Sequence, residues 1–322
     1  MFVKIPPCKW YARAKFIRMT GLRRKRRSKL TMVTSVIVVL VLVSVCVVIP
    51  VIATMSNQCP NKQVVPTNEH SSLLGYFNIT DGVDIIWAHA VNSKADLSGA
   101  LLDVNIMMLE ADVILDPSDG QPIMAHPPAT SSDITLKQWL TEALATPKKG
   151  IKLDFKQTKA ISPSLEILED LMENVTADAM PPILLNADII PGPNNNKTTP
   201  VDANVFIRSC SAVENAVLSP GWTTKFVGNA SEGYSWEHVQ RIYKLLKNLK
   251  QFITFPIRAS LASLSKEQLV WLINQNEQKF TLTVWTSKKD QFDIKELKFL
   301  RNYKKQVYYD LPQEDIDRLR TM

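Results

Sequence analysis

The sequence predicts an α/β fold: a TIM-like (β/α)8 barrel ectodomain after an N-terminal transmembrane helix. Three observations predict it. Eight short apolar runs alternate with helix-period segments over about 240 residues, the pattern of parallel strands joined by crossover helices. Polar and charged residues gather at the C-terminal ends of those runs, the end where such barrels carry their sites. Residues 30–55 hold no charge and are dominated by Val, Ile and Leu. A run of that length spans a bilayer core of ~30 Å, whereas the apolar region of a cleaved signal peptide is usually roughly 7–15 residues. A doubly wound open sheet is the competing architecture. No Gly-rich phosphate loop follows the first strand, which argues against a nucleotide-binding version.

The elements follow in order. Residues 1–29 form a basic tail with eleven Lys/Arg and no acid, densest at Arg23–Arg27. The remaining 293 residues carry 27 basic side chains against 31 acidic ones, so the formal charge of +7 is confined to the tail. Specific nucleic-acid binding is therefore not expected. Lys/Arg flanking a span stay cytoplasmic, so 30–55 reads as a retained signal-anchor of a single-pass type II membrane protein. Its N-terminus is then cytoplasmic, and its C-terminal domain lumenal or extracellular. Residues 56–74, with Pro60 and Pro66, read as a stalk, and 75–322 as the barrel. Four Asn-x-Ser/Thr sequons, at Asn78, Asn174, Asn196 and Asn229, lie beyond the span and fit glycosylation there. Of the four cysteines only Cys59 and Cys210 face the oxidising side; they either pair or remain free or intermolecular thiols.

Strands are expected at 83–89, 107–115, 150–155, 182–188, 215–218, 252–258, 280–285 and 306–310. A hairpin is expected around Asp119-Gly120. Helices are expected at about 93–103, 134–145, 162–174, 235–250, 265–276, 290–302 and 313–321. Ser265-Lys266-Glu267-Gln268 has the form of a capping box and should start one of them.

Side chains alternate faces along a strand. Glu110 and Asp112 therefore point one way, and so do Lys152, Asp154 and Lys156. His89 ends the first strand, Asn186 and Asp188 the fourth, Arg258 the sixth and Trp285 the seventh; His126 follows the hairpin. Three carboxylates on one rim make a hard, oxygen-rich site suited to one Mg²⁺ or Ca²⁺. A cation there relieves their mutual repulsion and can neutralise a phosphodiester oxygen. His89 and His126 suit a general acid and base on either side of a phosphate. Lys152, Lys156 and Arg258 suit its remaining charge. Each residue alone has a bland reading, as a hydrogen-bonded strand end, a balanced charge or a core tryptophan. Their joint occurrence, in order, at the ends of expected strands favours chemistry.

Several segments carry a specific resemblance: Trp87-Ala88-His89-Ala90-Val91-Asn92-Ser93, Met108–Val113, Pro122–Pro128, Gly150–Lys156, Leu185–Ile189 and Leu218–Thr224. Over roughly 75–312 the chain resembles the menorin family, which is similar in turn to glycerophosphodiester phosphodiesterases and spider-venom phospholipases D. The resemblance implies a distorted eight-stranded barrel. It implies His89 and His126 as the acid/base pair, and Glu110, Asp112 and Asp154 as ligands of Mg²⁺ or Ca²⁺. It matches Trp285 to a seventh-strand tryptophan. Two departures stand out. His89-Ala90-Val91 replaces the usual His-Arg-Gly, and Asp154 stands where Glu is common. The expected function is a metal-dependent phosphodiesterase acting on a phosphodiester substrate. The alternative is a non-enzymatic ectodomain that binds cell-surface or extracellular proteins.

Overall fold

A computed structural model describes residues 73–322, apart from 174, 177–178, 196–197 and 226–230. The basic tail, the apolar run 30–55, Cys59, and the sequons at Asn174, Asn196 and Asn229 lie outside the described residues. Among the described residues no helix is long and apolar enough to cross a membrane.

In chain order, α1 (Leu73–Phe77) precedes β1 (Trp87–Ala88), and α2 (Lys94–Leu102) leads to β2 (Met108–Leu115). β3 (Pro122–Met124) folds back antiparallel on β2. Then α3 (Leu136–Ala145), β4 (Gly150–Phe155), α4 (Ile161–Met172), β5 (Ile183–Pro191), α5 (Ala203–Cys210) and β6 (Val217–Thr223) follow. The chain ends with α6 (Trp236–Leu246), β7 (Ile253–Arg258), α7 (Ala259–Ala262), α8 (Lys266–Asn274), β8 (Phe280–Trp285), a 3-10 helix (Ile294–Tyr303), β9 (Val307–Asp310) and α9 (Gln313–Arg320). The eight strands other than β3 are parallel and adjacent in the order β1-β2-β4-β5-β6-β7-β8-β9. β9 packs beside β1, and no ladder pair joins them among the described residues, so the barrel is nearly closed.

Period-2 alternation divides each strand between two apolar environments. Leu109, Ala111 and Val113 of β2, Ile151, Leu153 and Phe155 of β4, and Ile253, Phe255 and Ile257 of β7 face outward and join the main core beneath the helices. Met108, Leu184, Val217 and Tyr308 face inward at the N-terminal ends of their strands. Leu73 and Leu74 of α1 and Ile85 close that end of the barrel with them.

Five features differ from the sequence expectation. The first strand shrinks to Trp87–Ala88 because Asp81 caps a 3-10 turn, Gly82–Asp84, accepting from the Val83 amide at 3.1 Å. A Cβ on Gly82 would lie 2.0 Å from the Val307 carbonyl oxygen, so this turn approaches β9 too closely for any side chain. Residues 73 and 74, expected as the end of a stalk, begin α1. β6 continues through Pro220 and Gly221 to Thr223. Helix α5, unforeseen, is capped by Asp202, which accepts from the Asn204 and Val205 amides at 2.8 and 3.0 Å. The segment expected as a helix at 290–302 is a 3-10 helix.

A helix does start beside Ser265, but the expected capping box does not form. The Ser265 hydroxyl instead donates to the Leu261 carbonyl at 2.8 Å and accepts from the Tyr234 amide at 2.6 Å. Reciprocal boxes form at Thr135/Gln138 and Ser235/His238, each satisfying orphan amides of a first turn. Asn78 is exposed just beyond α1. Cys210 is a fully buried free thiol in the main core.

Candidate active site

The inward residues at the C-terminal strand ends enclose a cavity of about 380 Å³. All eleven residues singled out as catalytic, metal-ligating or substrate-binding line it: His89, Glu110, Asp112, His126, Lys152, Asp154, Lys156, Asn186, Asp188, Arg258 and Trp285. The register explains the convergence. Glu110 pairs with Lys152, Asp112 with Asp154, and Asp154 with Asn186, so one layer of residues crosses three neighbouring strands at the same height.

Glu110, Asp112 and Asp154 each offer an oxygen, and these oxygens lie within 4.8 Å of one another. Glu110 and Asp112 are 2% and 3% exposed. Burial pushes the Glu110 carboxyl up to about 7; the His89 charge opposes this, while Asp112 and Asp154 add to it. Burial also opposes ionisation of Asp154, yet Lys156, Lys152 and the Asn186 amide hold it below the ordinary carboxylate range. Lys156 Nζ lies 2.6 Å from Asp154 Oδ2 and 2.9 Å from Asp112 Oδ1. Those carboxylates hold the lysine charged despite its burial. Asp188, on the far side of Asp154, is pushed up to about 7 by burial and by the Asp154 charge.

The histidines are held differently. His89 Nδ1 lies 2.7 Å from Asp310 Oδ2 and 3.5 Å from Glu110 Oε2. Burial works against its charge, but Asp310 and Glu110 outweigh it and raise the imidazole to about 9. This contact joins the end of β1 to the end of β9 across the open seam of the barrel. His126 is exposed. The Ala125 amide donates to the Asp112 carbonyl at 3.0 Å and so fixes the chain beside β2. His126 Nδ1 sits 2.5 Å from the Pro127 carbonyl oxygen, an acceptor that requires Nδ1–H.

On the opposite wall Arg258 lies over Trp285, with Cζ 5.3 Å from the ring centroid. Its charge is already matched: Nε and Nη2 donate to Asp290 at 2.8 and 2.5 Å. It also donates to Thr224 and Ser287. Burial opposes ionisation of Asp290, but the Arg258 guanidinium holds it low. The Arg258 amide donates to the Tyr234 hydroxyl at 3.0 Å. Gly221 lets this wall close in, since a Cβ there would meet Pro256 Cγ at 2.6 Å and Asp188 Oδ1 at 2.8 Å. Lys152 is different again. It is 3% exposed, has no ion pair or hydrogen bond among the described residues, and sits 5.9 Å from the Trp87 ring centroid.

The charges at the site do not balance among themselves. Glu110, Asp112, Asp154, Asp188, Asp290 and Asp310 face Lys152, Lys156, Arg258 and a protonated His89. Two negative charges remain, and one divalent cation would balance them. Glu110 and Asp188 are the two carboxyls displaced towards neutrality. The donor set, three carboxylates with no sulfur, suits a hard oxygen-seeking cation. The residues present thus fit a Mg²⁺- or Ca²⁺-type site.

Sequence reasoning missed Asp310, Asp290, Thr224, Ser287 and Tyr234, and assigned no role to Asn92. Asp310 could have been found, since it ends the eighth expected strand. Nothing local marks Asp290.

A family profile described as the Menorin N-terminal domain matches residues 81–316. Over 260 residues the chain is 42% identical to the Homo sapiens protein named Protein FAM151B, spanning 76% of this chain and 91% of that one. Its shape is similar to that of a Galdieria sulphuraria protein provisionally assigned as a glycerophosphodiester phosphodiesterase. That match has a TM-score of 0.49 at 11% identity and covers 74% of this chain and 99% of the other. A second crystal structure, L. pealei PLC21, matches with a TM-score of 0.38 at 12% identity, covering 71% of this chain and 33% of that one.

Proposed function

The chain belongs to the menorin family, and we propose that its barrel pocket is a divalent-cation-assisted phosphodiesterase centre run by acid–base chemistry of His89 and His126. The observation that carries this reading is one cavity that holds both histidines and three carboxylates, two buried and one half-buried, with oxygens within 4.8 Å.

Glu110, Asp112 and Asp154 would hold Mg²⁺ or Ca²⁺, which when bound supplies charge neutralisation to a phosphodiester oxygen. Lys152 is a lining cation with no carboxylate at ion-pair distance among the described residues, and it is the group suited to another phosphate oxygen. Lys156 and Arg258 serve mainly to hold acids, Lys156 between Asp112 and Asp154 and Arg258 against Asp290. His89, raised to about 9, is protonated at neutral pH. With Nδ1–H given to Asp310, its Nε2–H is free to protonate a leaving oxygen, the general-acid role. With Nδ1–H given to Pro127, His126 keeps a lone pair on Nε2, which suits it to take a proton from an attacking hydroxyl. These tautomers are assigned from the hydrogen bonds. The hydroxyl belongs either to water or to the substrate itself, giving a hydrolysed or a cyclic phosphate.

The test is turnover of a panel of glycerophosphodiesters, lysophospholipids, sphingomyelin, cyclic phosphates and short RNA, with Mg²⁺ or Ca²⁺ present. His89→Ala and His126→Ala should each lower turnover of the responsive substrate by roughly 10²–10⁴-fold. Full activity in the double variant would refute the mechanism.

A further inference from the structure

The turn that follows β1 bonds to two of the three clustered carboxylates. Ala90, at φ 57°, donates its amide to Glu110 Oε2 at 2.8 Å. The Val91 amide donates to the Glu110 carbonyl at 2.8 Å. Asn92 binds residue 112 from both ends of its amide: Nδ2 donates to Asp112 Oδ2 at 2.7 Å, and Oδ1 accepts from the Asp112 backbone amide at 2.8 Å. Using both ends fixes which way the amide points. The turn is itself fastened from outside, by Trp139 Nε1 to the Val91 carbonyl at 2.9 Å and by the Ser132 hydroxyl to the Asn92 carbonyl at 3.1 Å.

The other side chain bonded to Asp112 is Lys156, on Oδ1. The two contacts differ in kind. Lys156 spends a full positive charge on Asp112 and Asp154, charge that a cation at the same oxygens would have to share. Asn92 is neutral: it orients the carboxylate and leaves its negative charge for a cation. Each carboxylate oxygen has two lone-pair sites, so Oδ2 can accept from Asn92 and still ligate. An outer partner that orients a ligand in this way sets affinity through geometry.

We infer that Asn92 is a positioning residue for the cation ligand Asp112, and that the His89–Asn92 turn presets the site before a cation arrives. The inference rests on the cation site proposed above. A residue that merely fastens the turn would lower fold stability when removed and leave cation affinity alone.

The experiment is a Mg²⁺ and Ca²⁺ titration of the full chain, read by its unfolding temperature and by calorimetric binding, for wild type, Asn92→Ala, Asn92→Ser and Ser132→Ala. Asn92→Ala should weaken the cation roughly 10- to 100-fold. Asn92→Ser, which keeps one short hydroxyl, should fall between it and wild type, and it carries the test if the alanine variant does not fold. Ser132→Ala removes one fastening of the turn without touching the Asn92 amide and should cost less affinity than Asn92→Ala. A wild-type protein that binds the cation, with Asn92 variants that bind it equally well, overturns the role of Asn92 and leaves the cation site standing. A wild type blind to both cations overturns the site and the inference together.

Discussion

The two ends of the barrel interior are built on the same strands from opposite chemistry. On β2 the inward residues read Met108, Glu110, Asp112; on β5, Leu184, Asn186, Asp188; on β9, Tyr308, Asp310. The first of each set joins the apolar plug with Leu73 and Leu74. Above the plug the inward residues are polar: Asp112, Asp154 and Asn186 share one height, Ser219 donates to Asn186 at 2.6 Å, and the Thr254 and Thr283 hydroxyls lie 2.8 Å apart. The last residue of each set is an aspartate: Asp112, Asp188 and Asp310. The lower end gains stability by excluding water from side chains that match each other. The upper end gathers carboxylates that oppose one another in the fold, a cost that Lys156, Lys152 and His89 offset in part and that a cation or protons would relieve further. Stability and chemistry are thus separated by about two residues of rise per strand.

Substitutions at the lower end should sink stability alone. Leu184 is fully buried in the plug, so Leu184→Ala should lower the free energy of unfolding by about 2–5 kcal/mol. Its effect on cation affinity should be small, because Asn186 and Asp188 keep their register. Denaturant unfolding and cation titration of the same variant check both halves. A large loss of cation affinity would erase the separation.

At the upper end the opposite sign is expected. The Glu110 carboxyl rises from 4.5 to about 7 on folding. Between those values the folded protein holds a proton that the unfolded chain has lost, so metal-free stability falls as pH rises through this window. Acting alone, Glu110 would account for roughly 3 kcal/mol of that fall. Glu110→Gln should therefore stabilise the protein at pH 7 in a chelator and flatten the decline. Asp188, also pushed to about 7, keeps a remainder. His89 runs the same way higher up: its stabilising charge is complete below about 6.5 and is lost as pH rises through about 9. Unfolding temperatures from pH 4 to 10 with chelator measure both windows. A Glu110→Gln protein less stable than wild type at pH 7 would show that the cluster is not under strain.

The legibility of the two ends also differs. β2, β4, β7 and β8 were readable almost to the residue because strands buried on both faces are continuous apolar runs closed by a charged or aromatic residue such as Asp154, Arg258 or Trp285. Ten of the eleven expected site residues were readable for the same reason, since period 2 and the strand-end rule place them together, while His126 follows β3 in a loop. The sequence expectation ends β6 at Leu218, just before Pro220 and Gly221, residue types uncommon inside a strand. In the barrel they lie in the ladder against Ala187 and Asp188, where Gly221 admits the Pro256 ring. Helix α5 was hidden by its β-branched and polar composition, and only its Asp202 cap marked it. The ion pairs that set the electrostatics were not readable. His89 and Asp310 are 221 positions apart, and the Arg258–Asp290 pair depends on a loop folding back over 32.

Whether the strained carboxylates form a divalent-cation site is tested most directly by thermal unfolding of the wild type and of Asp112→Ala across a Mg²⁺ and Ca²⁺ series. Binding to the folded state alone should stabilise the wild type by about 2.7 kcal/mol at a hundredfold excess over the dissociation constant, and Asp112→Ala should lose that gain. Wild-type curves that superimpose with and without either cation would contradict that site.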